Sequence, residues 1–391
     1  MALHTRSSVF HSKATTGVVA TVAAVSLFAL AGCSGGSEAV SSAVPTNDIA
    51  VGEFPDYYPE DYQDLVDAAE AEGGELEIYS NTDQENWAPV FRDFQKKYTW
   101  VTDISANNLG SDEVFQRELS EQATGNAPAD LLVSNATQAW ADFAERPDTL
   151  LEYTSPEIPE LPDFAQVLPN VVAMSMDPQT IGYNTALLTD APTGLSSLAD
   201  TVSANPEQFK NMVGVRDVTG AFGYTMFYYL TQARPEAWDS LAKLLPLTRP
   251  ETSSGTLTEK TLAGEYVASA LITAAPAFPT VRDSDGLFEI VLPDDGTVVI
   301  PRGIGIASTA AHPNTAKLFT DFILSEEGQQ AILEGGLASY REGVESVPFA
   351  YSYQDVVKEV GEDQVILAPY ETADDATVAE FTSKWDSLLA K

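Results

Sequence analysis

The sequence predicts an α/β protein of two domains, each built on a sheet that helices cover. Strand and helix segments alternate through residues 75–133, the order typical of a parallel sheet with helices on its faces. Without its first 32 residues, the 391-residue chain still exceeds the roughly 250–300 residues at which single cores stop growing. A second domain is therefore expected beyond about residue 150.

Hydrophobic periodicity predicts the elements of the first half. Apolar side chains recur at helical spacing in residues 62–69 and 87–94, which predicts a helix in each segment. The turn Gly110-Ser111-Asp112-Glu113 is typical of a helix start and predicts a third helix after residue 110. Short alternating or apolar segments predict strands at 75–79, 101–104 and 131–133.

The second half contains the same two patterns between Pro-rich segments. Strands are predicted at 181–183, 212–215, 298–300 and 303–306. An aromatic-rich segment at 222–229 and an apolar face at 318–323 predict helices.

Charge and composition exclude several function classes. Fifty-eight acidic residues face 20 basic ones, a formal net charge of -38, which repels phosphate backbones and excludes nucleic acid as a partner. The acidity is typical of a saline habitat, and attraction of a cationic ligand is the alternative. Of three histidines only His312 lies beyond the N-terminal leader, so neither a Ser-His-Asp triad nor a histidine zinc site is predicted.

The N-terminus has the features of a secretory signal peptide over residues 1–32. A polar start precedes an apolar run, and Leu30-Ala31-Gly32-Cys33 resembles a bacterial lipobox. A buried thiol or a membrane span are the alternatives, but the run is shorter than the roughly 20 residues that a span needs. Cys33 is thus predicted to carry lipid that anchors an exported protein to the outer face of the cell membrane. Residues 33–55, rich in small residues, are the predicted flexible tether.

Three stretches resemble a known family. They are LVDAAEAEG at 65–73 leading to 78–80, GSDE at 110–113 followed by ADLL at 129–132, and LPDDGTVVIP at 292–301 continuing through His312 to LSEEGQQ at 324–330. These resemble the substrate-binding proteins of ABC importers whose best-known members carry ferric iron. The resemblance implies a periplasmic-binding-protein fold of the second type, with a cleft between two lobes and two crossing hinge strands. Lobe one would hold residues 56–152 and 296–338, and lobe two 153–295 and 339–391.

The resemblance also implies a function. The protein would be a monomer without enzymatic activity or a resident cofactor. It would capture a small solute and deliver it to the permease, and the resemblance favours ferric iron or a ferric complex as that solute. The alternative ligand is a small phosphorylated or carboxylated organic anion. The alternative class is a secreted hydrolase that uses two carboxylates.

Candidate ligand-binding residues follow the predicted strands, because ligands of open α/β sheets sit beyond the carboxyl ends of the strands. Their hydroxyls and backbone N–H groups lie at helix starts, where anions bind, although helix capping is the alternative role. The candidates are Ser80, Asn81, Thr82, Gly110, Ser111, Ser134, Asn135, Thr219 and Gly220.

Two further residues are candidates on chemical grounds. Tyr224 stands near the start of the aromatic helix, and the resemblance implies tyrosinate as a ligand for ferric iron. Residues 271–278, however, contain no tyrosine where the family often has several. Arg341 is placed to clamp a carboxylate or phosphate, with an ion pair as the alternative, and Arg216 and Arg302 are weaker candidates.

Overall fold

The structure, a computed structural model, describes residues 54–389. The signal peptide, the lipobox cysteine Cys33 and most of the tether lie outside the described residues. The helices are α1 (Tyr62–Ala71), α2 (Gln84–Lys97), α3 (Glu113–Gln122), α4 (Thr137–Ala144), α5 (Leu195–Ser203), α6 (Pro206–Phe209), α7 (Ala221–Ala233), α8 (Ala237–Leu244), α9 (Ser254–Leu262), α10 (Ala274–Asp283), α11 (Pro313–Leu324), α12 (Glu326–Glu334), α13 (Tyr353–Val360) and α14 (Asp375–Leu389). None of these described helices is both long and apolar enough to cross a membrane.

The strands form two sheet halves that share two long members. They are β1 (Glu75–Ser80), β2 (Asp103–Asn108), β3 (Leu131–Ser134), β4 (Gln166–Leu168), β5 (Val171–Asn184), β6 (Val213–Arg216), β7 (Thr248–Glu251), β8 (Ala268–Thr273), β9 (Phe288–Val291), β10 (Thr297–Ile306) and β11 (Val365–Leu367). The strand order is β2-β1-β3-β10-β5-β8-β6-β7, with β11 on β10 and both β4 and β9 on β5.

The first lobe is the half built on β2, β1 and β3, and the second lobe is the half built on β8, β6 and β7. Within each trio the strands pair in parallel, while β10 and β5 join them with antiparallel pairing. β5 and β10 also pair with each other and run through both halves. They are the two crossing strands that connect the lobes.

Each lobe has its own hydrophobic core. Trp87 and Phe94 on α2 pack with Phe319 in the first core, because α2 places these side chains on one face. Val215 and Phe227 pack with Trp385 of α14 in the second core. Separate cores allow the lobes to move as units about the strands between them.

Packing divides the chain differently from the predicted residue ranges in more than one place. Leu161 belongs to the first core, although residues 153–295 were assigned to lobe two. Val356 on α13 belongs to the first core, although residues 339–391 were assigned to lobe two. Only the later part of that segment, with Ile366, Phe381 and Trp385, joins the second core. The chain therefore returns to the second lobe after α13, later than the predicted boundary at residue 338.

Candidate functional site

A cavity of about 650 Å³ lies where loops of both lobes face each other. The first lobe contributes the segments that follow β1, β2 and β3, and the second contributes those that follow β6, β7 and β8. Seven of the predicted residues line it: Asn81, Thr82, Gly110, Ser111, Asn135, Thr219 and Gly220. The strand ends therefore meet at one cleft, as parallel strands in an open sheet require.

Two predicted residues support the cleft from beneath and do not line it. The Ser80 hydroxyl is fully buried and accepts hydrogen bonds from Thr82 N at 2.9 Å and Trp87 Nε1 at 3.3 Å. The Ser134 hydroxyl donates to the Ser111 carbonyl at 2.9 Å and accepts from Ala136 N at 3.1 Å. Both hydroxyls fix the loops whose neighbouring residues face the cavity, and their direct contact with ligand stays a prediction.

Tyr224 lies in the second core and not at the cavity. Its ring stacks on Tyr228 with centroids 4.9 Å apart and meets Phe381 edge-on. Burial raises the pKa of the Tyr224 phenol, which opposes phenolate formation. The structure therefore places Tyr224 among core residues, and its predicted binding of ligand or metal stays a prediction. Within residues 54–389 no group of three or more His, Cys, Asp or Glu side chains could hold a metal ion.

Arg341 also lies away from the cavity, in a buried ion pair. Its Nη1 donates to Glu157 Oε2 at 2.6 Å and to the Leu324 carbonyl at 2.8 Å, and its Nη2 donates to the Tyr57 hydroxyl at 3.2 Å. These contacts occupy the guanidinium, so the structure contains the ion pair that was the alternative role, and the clamp on a ligand anion stays a prediction.

Arg302 forms the floor of the cleft and is held by the crossing strands. Its guanidinium on β10 pairs with Asp177 on β5 at 2.7 Å, and both side chains are at least 96% buried, with 4% and 1% exposed. Nη1 also donates to Asn81 Oδ1 at 2.8 Å and Thr82 Oγ1 at 3.0 Å. The pair thus fixes the loop after β1 to both connecting strands, and its charge is already neutralised.

Arg216 is the second arginine of the cavity wall. Among the described residues its buried Nε has no hydrogen-bond partner. The guanidinium lies over the Phe222 ring, 5.1 Å from the centroid. Burial lowers the pKa of Arg216 to about 10, although the charges of Asp217 and Asp112 raise it. The guanidinium therefore stays positive at neutral pH. A buried cation of this kind calls for an anion from outside the chain.

Five helices begin at the cavity. The N-cap residues of α2, α3, α7, α9 and α10 all line it: Asp83, Asp112, Gly220, Ser253 and Thr273. The positive end of each helix dipole and its free backbone N–H groups therefore face the same space. Convergent helix N-termini favour an anionic ligand.

Three of the four acidic residues in the cavity wall are engaged by neighbouring groups. Asp83 accepts from Asn108 Nδ2 at 2.7 Å, and Glu113 accepts from Gly110 N at 3.1 Å. Asp217 accepts from Thr219 N at 2.8 Å. These carboxylates hold the loops around the cleft in place.

The sequence analysis missed the contribution of α9. Ser253, Ser254 and Gly255 line the cavity, and the Ser253 hydroxyl caps α9 by accepting from Thr256 N at 3.0 Å. The signal was present, because Ser253-Ser254-Gly255-Thr256 is a typical helix start. Pro250 argues against a strand before this helix start, because proline is tolerated in a sheet only at an edge. β7 is such an edge strand.

A comparison with protein-family models gives one match, to bacterial extracellular solute-binding proteins over residues 90–356. The chain belongs to this family. This solute-binding protein has no match among curated proteins.

Solved structures of the same fold show what this solute-binding protein resembles. The substrate-binding protein of an ABC transporter from Agrobacterium tumefaciens is 18% identical, with a TM-score of 0.72, over 82% of this chain and 96% of that chain. AfuA of Actinobacillus pleuropneumoniae, with fructose-6-phosphate bound, is 20% identical, with a TM-score of 0.65, over 80% of this chain and 99% of that one. Iron-bound HitA of Pseudomonas aeruginosa is 19% identical, with a TM-score of 0.61, over 80% and 99%. The two-lobe fold predicted from the sequence is confirmed.

Proposed function

We propose that this protein captures a small organic anion, carrying phosphate or carboxylate, for an ABC importer. The observation that carries the proposal is Arg216, a half-buried arginine at the cavity wall whose buried Nε has no hydrogen-bond partner among the described residues. Five helix N-termini around the same cavity add N–H donors for an anion. Guanidinium and backbone N–H groups together suit phosphate and carboxylate oxygens.

The size of the cavity supports an organic ligand over a bare ion. About 650 Å³ falls within the roughly 300–1,000 Å³ of pockets that enclose small molecules. Ferric iron, which the family resemblance favoured, has less support because none of the tyrosines within residues 54–389 lines the cavity. A hydrolase has less support still, since three of the four described cleft acids are hydrogen-bonded to loop groups and the family is one of binding proteins.

A binding experiment on Arg216→Gln tests this function. Glycerol phosphate, citrate and ferric citrate would each be titrated into the protein by calorimetry, with thermal melting as a second measurement. We expect an organic anion to raise the melting temperature, since ligand that binds only the native state stabilises it. Loss of a hydrogen bond to a charged group costs about 1.5–3 kcal/mol, so Arg216→Gln should weaken binding by about ten- to hundredfold.

Arg249→Gln is the matched control, because it removes an exposed arginine of the same lobe that does not line the cavity. It should bind as the unaltered protein does. Stabilisation by ferric citrate alone, or equal anion binding by Arg216→Gln, would contradict the proposed function.

We also propose that Cys33 is acylated and holds the protein beside its permease. The lipobox sequence supports this, together with membership of a family of extracellular proteins. Cys33→Ala should move the protein from the membrane fraction to the medium or leave it unprocessed, which immunoblotting of cell fractions measures. Membrane retention of correctly processed Cys33→Ala protein would overturn the lipid anchor.

A further inference from the structure

Asp112 is the one acid of the cavity wall whose carboxylate is left partly without a partner. It is the N-cap residue of α3, yet its side chain makes no capping hydrogen bond, and its Oδ1 is buried with no partner. Burial raises the pKa of this carboxyl. A hydrogen bond from the Ala221 backbone N–H and the charge of Arg216 lower the pKa by less than burial raises it. A buried oxygen in this state calls for a donor.

Arg216 and Asp112 come from opposite lobes and do not pair. Arg216 ends β6 of the second lobe, and Asp112 precedes α3 of the first. Both residues line the same cavity, and each acts on the pKa of the other through its charge. Arg216 Nε and Asp112 Oδ1 are both buried without a hydrogen-bond partner among the described residues. One donor and one acceptor therefore lack partners in the two opposite walls of one cavity.

The charges of the cavity wall disfavour a ligand that is only anionic. The wall contains four acidic residues and two arginines, and Arg302 is already neutralised by Asp177. A phosphate alone would satisfy Arg216 and leave Asp112 unpaired beside a second negative charge, which is costly in a buried site.

We propose that the ligand is zwitterionic, with an anionic group bound to Arg216 and a primary ammonium group bound to Asp112. This inference rests on the proposed function and adds the second half of the ligand. An ammonium donates up to three hydrogen bonds and carries a positive charge that can pair with the Asp112 carboxylate. Recognition by both lobes would also select against simple phosphates and carboxylates.

Three probes that differ in one group test the inference on the full chain as its host processes it. Phosphoethanolamine carries phosphate and ammonium, hydroxyethyl phosphate replaces the ammonium by hydroxyl, and ethyl phosphate has neither. Calorimetric titration should give phosphoethanolamine at least a tenfold lower dissociation constant than either of the others. Asp112→Asn should abolish that preference. Asp103→Asn, which removes an exposed acid of the same lobe away from the cavity, should keep it.

The outcomes separate this inference from the proposed function. Equal binding of the three probes, each weakened by Arg216→Gln, would overturn the ammonium site and leave the anion site standing. A preference that persists in Asp112→Asn would also overturn the ammonium site. Failure of every organic anion to bind would overturn the proposed function as well. If Asp112→Asn does not fold, the ranking of probes on the unaltered chain still decides the question.

Discussion

Asp321 is a buried carboxylate outside the cleft that forms no ion pair with a cation of residues 54–389. It lies on α11 with 1% of its surface exposed, and its Oδ2 accepts hydrogen bonds from the hydroxyls of Tyr62 at 2.7 Å and Tyr153 at 2.6 Å. Its Oδ1 has no partner, and Glu157 adds a second negative charge nearby. Burial raises the pKa of Asp321 to about 7, while hydrogen bonds from Ser155 and the two tyrosines oppose the shift.

This raised pKa makes stability depend on pH in a definite direction. The folded state holds the Asp321 proton more tightly than the unfolded chain, whose aspartate titrates near about 3.9. The stabilisation is therefore complete below about pH 4 and is lost as pH rises towards about 7. As the pH rises from 5 to 8, we expect the free energy of unfolding of the unaltered protein to fall by a few kcal/mol more than that of Asp321→Asn.

Urea titrations at several pH values measure this difference. Asp64→Asn is the control, since it removes an exposed acid of α1 and should keep the pH slope of the unaltered protein. Parallel pH curves for the unaltered protein and Asp321→Asn would contradict the role given to Asp321.

At the scale of single elements, α9 links helix stability to the cleft. The Ser253 hydroxyl caps α9 where the helix start faces the cavity. Ser253→Ala should lower the free energy of unfolding by about 1 kcal/mol, the usual value of an N-cap. It should also weaken binding of phosphoethanolamine, because the first turn of α9 supplies N–H donors to the cavity.

Ser352→Ala gives a matched comparison. Ser352 caps α13 by accepting from Asp355 N at 3.0 Å and does not line the cavity. It should cost a similar free energy of unfolding, measured by urea titration, with ligand affinity unchanged. If both variants bound ligand equally well, α9 would be only a structural helix.

The elements that the sequence predicted well are those with a clear pattern. β1 alternates and α2 carries an apolar face, so both were located within a few residues. β5 was predicted only at 181–183, because all fourteen of its residues are buried and its first half does not alternate. α10 was missed because Pro276 and Pro279 lie within it.

The same difference between local patterns and tertiary contacts explains which residues of the site could be predicted. Loops after β1, β2, β3 and β6 were predicted because strand ends can be located from the sequence. Arg341 and Tyr224 were misplaced because their positions depend on tertiary contacts, with Glu157 and with the second core, that no local pattern records. Arg216 was only a weaker candidate and Asp112 was not proposed as a site residue, because the absence of a partner is visible only in three dimensions.

At the scale of the whole molecule, surface charge and cleft charge play different roles. The formal net charge of -38 would repel an anion at long range, but salt screens charges beyond about 8 Å. In the function that we propose, binding is then decided by Arg216 and the helix starts within the cavity. A zwitterionic ligand would also be repelled less than an anion, which fits an acidic protein.

Closure of the two lobes is the last prediction, and it belongs to the molecule as a whole. A ligand that touches Arg216 and Asp112 contacts both lobes, so it binds the closed state more tightly and shifts the population towards it. Motion is expected about β5 and β10, where the buried Arg302–Asp177 pair joins the connecting strands. Small-angle X-ray scattering should show a smaller radius of gyration with saturating phosphoethanolamine than without it. Arg216→Gln at the same ligand concentration should remain at the ligand-free radius. Tight binding with no change in radius would mean that the ligand contacts one lobe only, contrary to the arrangement argued from the cavity.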